Sequence, residues 1–280
     1  KVNRTTKMLK SDYRTLLFNQ VEEKCNFFNN IPILYLAAGP SLEENIEWIK
    51  ENQNNFFIVT IGAAYKKLIK NDIKIDMITS LDEDSILNDI QFDDESVSKV
   101  ATNTIFIINC ATNPQIIEKL KNRNLFLYET QVPMHKKNIA FNGFSIGEVT
   151  LDILLKMNPK EIYLIGLDLA LNQDTGLSHS KDSNSALKSY DLNEIYNREF
   201  FSLNKGVIKV KGNLKEDVKT TSIFYNSIQS ANSKLEQKKD DCNIYNLSLH
   251  GAYLKNTIPK EILKVDISKY KILNLKNDLF

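Results

Sequence analysis

The stretch Ile33-Leu34-Tyr35-Leu36-Ala37-Ala38-Gly39-Pro40-Ser41-Leu42 constrains the fold more than any other part of this chain. Its four leading apolar residues have no polar alternation, which is the pattern of a strand buried on both faces in a parallel sheet. Gly39-Pro40 stops the run, and Ser41 with Glu44 has the S-x-x-E spacing of a capping box at a helix start. A strand that turns sharply into a helix leaves unpaired backbone N–H groups at the carboxyl end of a sheet, where phosphates and carboxylates bind. The turn has a single glycine, so it matches neither G-x-G-x-x-G nor the G-K-[ST] ending of a P-loop. A strand-to-helix turn without a ligand carries the same signature.

The alternation continues along the chain. Strands are predicted over 33–36, 56–61, 76–81, 104–110, 125–129 and 161–165, with helices over 41–52, 63–70, 114–121 and 145–157 between them. A lead-in helix over 12–28 precedes the first strand. This order predicts βαβ units, hence an α/β fold with a doubly wound, mostly parallel sheet. Beyond Gly166 the pattern loosens. Residues 171–189 are rich in Asn, Asp, Gly and Ser and read as one long loop, of a kind that is functional or disordered. Helical segments over 191–201 and 221–238, an extended piece over 206–211 and a last strand over 243–247 follow. The expected division is a helical lead-in at 1–30, a Rossmann-like domain at 31–259 and a C-terminal extension at 260–280, with helical additions at both ends.

Composition narrows the function classes. Lys and Arg (36) nearly cancel Asp and Glu (35) over 280 residues, so no global basic field exists to attract nucleic acid. Cys25, Cys110 and Cys242 are odd in number and lack metal or C-x-x-C spacing, as expected in a reducing compartment. No apolar run approaches the roughly 20 residues that span a bilayer, and no signal-peptide core is present. A cytoplasmic protein without a membrane or nucleic-acid partner is expected. The start at Lys1 rather than Met leads to the expectation of flanking domains in a longer chain.

In an open α/β sheet, ligands bind outside the carboxyl ends of the strands. Those ends hold Gly39-Pro40-Ser41, Gly62-Ala63, Asp82-Glu83-Asp84, Asn109 with Thr112 and Asn113, and Gly166 with Asp168. Each of these is also a usual helix cap or turn former. Asp82-Glu83-Asp84 has the D-x-D pattern that holds a divalent cation against a diphosphate in metal-dependent sugar-nucleotide transferases. Glu83-Asp84 equally suits the cap of a helix near Ser85, so Asp82 is kept as a binding residue and no metal ligand is assigned. Asn142-Gly143-Phe144-Ser145-Ile146-Gly147-Glu148 precedes a strong helix, with Ser145 as its cap and amides that face an anion or simply close a loop. His179, in Gly176-Leu177-Ser178-His179-Ser180, is placed either as a general base near neutral pH or as a surface histidine. His135, beside Lys136 and Lys137, is expected in solvent, and His250 is expected to line the site from the tail.

Taken in order, Ala38-Gly39-Pro40-Ser41-Leu42, Ser80-Leu81-Asp82, the turn at 142–147, Ile165-Gly166-Leu167-Asp168-Leu169-Ala170 and Ser178-His179 resemble the central domain of the motility accessory factor (Maf) glycosyltransferases, which carry the MAF/DUF115 signature. Val210-Lys211-Gly212-Asn213, Thr220-Thr221 and the segment from Asn246 to Tyr253 extend the resemblance to about residue 259. More distantly, the same pieces resemble bacterial Rossmann-like sialyltransferases, which share the Gly-Pro-Ser turn, a strand ending in Gly-x-Asp and a later His-Ser.

The resemblance implies a glycosyltransferase that moves a nonulosonic acid (pseudaminic or legionaminic acid) from a CMP-activated donor to Ser or Thr hydroxyls of flagellin. It makes His179 the catalytic base, Ala38 to Ser41 the cytidine-phosphate turn and Ser145-Ile146-Gly147 a donor-binding turn. Gly62, Asp82, Asn142 and Asp168 complete the implied binding rim. No cofactor is required, a divalent metal being a minority alternative. Ala38 stands where the sialyltransferases have Asn, and their phosphate-binding tyrosine falls near Ala170 or Leu171, leaving the backbone turn, Lys181, Lys211 or Tyr225 as substitutes. The MAF/DUF115 signature also covers archaeal hydroxymethylpterin pyrophosphokinases, for which Asp82 and Asp84 would hold Mg²⁺. A non-catalytic flagellin-binding domain is the third alternative.

Overall fold

The computed structural model describes residues 12–81, 86–183, 188–193 and 207–270. Its elements run α1 (Phe18–Lys24), β1 (Ile33–Leu36), α2 (Ser41–Glu44), α3 (Ile46–Asn52), β2 (Phe57–Ile61), α4 (Tyr65–Lys70), β3 (Met77–Ser80), α5 (Leu87–Ile90), α6 (Asp94–Lys99) and β4 (Ile105–Asn109). They continue with α7 (Pro114–Leu120), β5 (Asn124–Tyr128), α8 (Ile146–Leu155), β6 (Glu161–Ile165), β7 (Val207–Lys211), β8 (Asp217–Thr221), α9 (Ser222–Leu235), β9 (Asn243–Asn246) and β10 (Ile258–Pro259).

Eight strands form one sheet in the order β10-β9-β6-β1-β2-β3-β4-β5. Every ladder in it is parallel. The fold is therefore α/β and Rossmann-like, as the alternating pattern predicts. β1 to β4 are buried along their whole length, and β5 and β6 at all but their first residue. Helices on both faces leave no solvated side, which is why these strands read as apolar runs rather than alternations.

The chain builds outward from β1 to β5, then crosses back to place β6 on the other flank of β1. The strand order therefore reverses between β1 and β6, the position at which such sheets bind ligands. Leu36 lies level with Ile165 in the ladder, so the turns that follow β1 and β6 emerge side by side.

The structure departs from the sequence expectations in three places, and leaves a fourth untested. The predicted helix over 41–52 is broken at Asn45, whose side-chain amide donates to the Ser41 carbonyl at 2.6 Å. The lead-in helix spans only seven residues. Ahead of it, Leu16 N–H donates to Leu127 and Leu127 N–H to Arg14, each at 2.8 Å, so this segment runs along β5 instead of coiling. The extended piece at 206–211 gains an antiparallel partner, β8, whose Asp-Val-Lys-Thr-Thr alternation the sequence reading leaves out. The predicted helix over 191–201 falls mostly outside the described residues.

At the far edge of the sheet, the two-residue β10 ends in Pro259, which limits further pairing. Among the described residues, no helix is long and apolar enough to cross a membrane.

Candidate functional site

The two turns at the strand-order reversal lock together around an internal carboxylate. Gly39 N–H donates to the Gly166 carbonyl at 2.7 Å. Ser41 donates its N–H to Asp168 Oδ2 at 3.0 Å and its hydroxyl to Asp168 Oδ1. A Cβ on Gly39 would lie 2.2 Å from Asp168 Oδ2 and 2.4 Å from the Gly166 carbonyl, so only glycine fits. Gly166 itself has φ +77, which favours glycine on backbone grounds. The Asp168 carboxylate thus occupies the place an external anion would take, and the Ser41 donors do not reach solvent.

The S-x-x-E capping box expected at Ser41 and Glu44 does not form. Glu44 instead accepts from His250 Nε2 at 2.6 Å, while His250 Nδ1 accepts from Gln173 N–H at 3.1 Å and His250 N–H points to Ser41 Oγ at 3.3 Å. The backbone donor at Nδ1 fixes the tautomer and leaves Nε2 as the ring's donor. His250 is buried behind the turn, not at the ligand face as expected. Its contacts join α2, the loop after β6 and the segment after β9.

Burial pushes the Asp168 carboxyl up to about 6, against the pull of both Ser41 bonds. A folded pKa above the unfolded value means that folding takes up a proton in the interval between them. This contribution is full below about pH 4 and lost as pH rises through about 6, with a size of order 3 kcal/mol. In urea unfolding, the stability of wild type relative to Asp168→Asn is expected to fall as pH is raised from about 4 to about 7. A difference independent of pH would contradict this placement of Asp168.

Beside the locked turns lies a cleft of about 440 Å³. Its walls include Ala38 and Gly39 from the first turn, Ser145 to Gly147 from the start of α8, and His179 and Lys188 from the loop after β6. His179 is half-buried, and burial lowers its pKa, favouring the neutral imidazole. Its Nδ1 lies 3.0 Å from Ser178 Oγ, which also accepts Lys188 N–H at 3.1 Å.

The histidine loop is anchored on the body. Ser180 N–H donates to the Ala38 carbonyl at 2.9 Å. The buried Lys67 ammonium donates to the Lys181 carbonyl at 2.6 Å and pairs with Glu43. At the start of the same loop, Leu169 has φ +47, a left-handed conformation that costs a bulky residue about 1–3 kcal/mol. The Thr220 hydroxyl holds its carbonyl at 2.7 Å.

Across the cleft, Ser145 and Glu148 form a capping box. The sequence reading assigns the cap to Ser145 but not the box with Glu148, which presents the first turn of α8 to the cleft. Gly147 keeps this helix tight on the sheet, since a Cβ there would lie 2.9 Å from Leu167 Cδ1.

The sequence-predicted residues therefore divide by position. Ala38, Gly39, Ser145, Ile146, Gly147 and His179 meet in the cleft. Ser41 and Asp168 lie behind it and hold its floor. Gly62 stands one layer away, with Gln91 filling the space a Cβ would need. Asn142 lies in a neighbouring cleft with Asn109. Asp82, with Glu83 and Asp84, is outside the described residues.

None of Lys181, Lys211 and Tyr225, the suggested phosphate partners, lines the cleft. Lys211 instead sits 4.2 Å above the Tyr253 ring. Sequence reasoning missed Lys188 and Tyr190, because an aperiodic polar loop gives no signal of which side chains turn inward. His135, expected in solvent, pairs through Nδ1 with the buried Glu129 and closes the turn after β5.

Comparisons with known proteins agree with this architecture. A solved structure, that of a Maf glycosyltransferase from Magnetospirillum magneticum AMB-1, is similar with a TM-score of 0.62 and 16% identity, over 90% of this chain and 39% of that one. The chain thus spans about two-fifths of that protein's length, and the likeness establishes the shared fold. No curated protein matches. The model of the family described as 6-hydroxymethylpterin diphosphokinase MptE-like matches residues 5–174, more than half of the sequence, and the chain belongs to that MptE-like family.

Proposed function

We propose that this chain is a glycosyltransferase that moves a nonulosonic acid, pseudaminic or legionaminic acid, from a CMP-activated donor to a hydroxyl of flagellin Ser or Thr. The observation that carries the reading is the position of His179: half-buried, held at Nδ1 by Ser178, and in one cleft with Lys188 and the start of α8. With Nδ1 donating to Ser178 Oγ, Nε2 keeps a lone pair for the acceptor proton. The acceptor oxygen forms its bond to the anomeric carbon as the bond from that carbon to the CMP phosphate breaks, and the proton passes to His179. Lys188 and the amides at the start of α8 stabilise the departing phosphate.

A single-phosphate leaving group needs less compensation than a diphosphate, which suits one lysine and one helix start. The reading calls for no resident cofactor. The odd number and scattered spacing of Cys25, Cys110 and Cys242 support a cytoplasmic location. The likeness to a Maf glycosyltransferase supports glycosyl transfer, and the resemblance of the sequence motifs to the Maf family supports flagellin as the acceptor class. The family description supports a second reading, diphosphate transfer from ATP to a hydroxymethylpterin, in which Asp82 and Asp84 would be central.

Calorimetric titration with CMP and, separately, with ATP and Mg²⁺ distinguishes them. CMP is expected to bind without metal and to lose about tenfold in affinity in Lys188→Ala, the loss of one charged phosphate contact. Binding of ATP with Mg²⁺ and none of CMP would move the assignment to diphosphate transfer. Binding of flagellin indifferent to any nucleotide would leave a non-catalytic domain.

A further inference from the structure

A second cleft, of about 710 Å³, opens at the carboxyl ends of β3, β4 and β5. Phe144 belongs to the walls of both clefts. Its ring is 70% exposed, yet the backbone beneath is fixed, because Phe144 N–H donates to the buried Glu148 carboxylate. An aromatic ring held out on a rigid turn is a preorganised contact surface, and no core packing accounts for it.

The described polar lining of the second cleft is uncharged in effect. Asn109 is spent on the frame: its amide donates to the Leu81 carbonyl at 2.8 Å and its oxygen accepts from Thr130 Oγ1 at 3.1 Å. Lys234, the cation among the described lining residues, is paired with Asp152 at 2.8 Å. Gln131, Asn142 and Ser233 offer amides and a hydroxyl that make no side-chain bond to another described residue. Gln131 moreover holds φ +67, a left-handed conformation uncommon outside glycine and recurrent at ligand sites.

Amides and hydroxyls, with no unpaired charge among the described lining residues, set around an exposed aromatic face, complement a neutral polyol. Its hydroxyl and N-acyl groups pair with the amides while its C–H face packs on the ring. An anionic group would find no free cation among the described residues there, whereas the first cleft supplies Lys188.

We infer that the second cleft is a sugar subsite, which takes the uncharged hydroxyl- and N-acyl-bearing part of the transferred group, with Phe144 as the partition from the nucleotide. The inference rests on the CMP-sugar reading of the first cleft.

The test is calorimetry with CMP, CMP-pseudaminic acid and CMP-legionaminic acid on wild type, Phe144→Ala and the double variant Gln131→Ala with Asn142→Ala. All three side chains are exposed, and thermal melts verify that folding is kept. At least one CMP-sugar is expected to bind wild type about tenfold more tightly than CMP. Both variants are expected to lose that advantage, and the Gln131→Ala with Asn142→Ala variant, whose residues lie outside the first cleft, is expected to keep its CMP affinity within about twofold. Equal binding of CMP and both CMP-sugars, or an advantage that survives both variants, overturns the sugar subsite and leaves the nucleotide reading standing. Absence of any binding by all three probes overturns the nucleotide reading and this inference with it.

Discussion

Gly39→Ala is expected to destabilise the chain by about 3 kcal/mol, at the severe end for an inserted methyl group, and to remove nucleotide binding. The added Cβ meets two groups at once, Asp168 Oδ2 at 2.2 Å and the Gly166 carbonyl at 2.4 Å. The carboxylate cannot swing aside without stranding the buried N–H and hydroxyl of Ser41. The carbonyl belongs to the turn that leaves β6 and already accepts Gly39 N–H. Relief requires the two turns to separate, which deforms the cleft wall formed by Ala38 and Gly39. A thermal melt reads the effect as a fall of about 6 °C or more for a chain of this size. An unchanged melting temperature would contradict the locked-turn geometry.

Much of the fold was legible because parallel strands buried on both faces print as short apolar runs, from Ile33–Leu36 to Glu161–Ile165. Their rim positions could be read for the same reason: the turns follow directly from the ends of those runs. The partner of Ser41 could not be read. Asp168 lies 127 residues away, and local S-x-x-E spacing favours a capping box that tertiary contact overrides. The same spacing at Ser145 and Glu148 does give a capping box, where the sequence reading expects only a Ser145 cap. His179 was visible as a histidine beyond a sheet edge, but its neighbours Lys188 and Tyr190 sit in a loop whose conformation is set by contacts with distant residues, including the Ser180 bond to Ala38 and the Lys67 bond to Lys181. The lead-in helix is shorter than expected for a related reason, as pairing with β5 outcompetes helix formation in residues 14–16.

His179→Ala carries the largest expected functional effect. A positioned base contributes about 10²–10⁴ in rate, and no other histidine lines the cleft to replace it. Nucleotide affinity should stay close to wild type, since the proposed phosphate contacts are Lys188 and the amides at the start of α8. Burial lowers the His179 pKa below its ordinary 6.5. The neutral, proton-accepting ring therefore dominates at neutral pH, and wild-type turnover should hold level on acidification to below pH 6.5 before it falls.

The central claim is tested most directly by steady-state release of CMP from CMP-pseudaminic and CMP-legionaminic acid, with flagellin present, by wild type and His179→Ala. The account predicts turnover of at least one donor by wild type, slowed about 10²–10⁴-fold in the variant with its CMP affinity kept. Equal turnover by the two proteins would contradict His179 as the base, and no turnover of either donor by wild type would contradict CMP-sugar transfer itself.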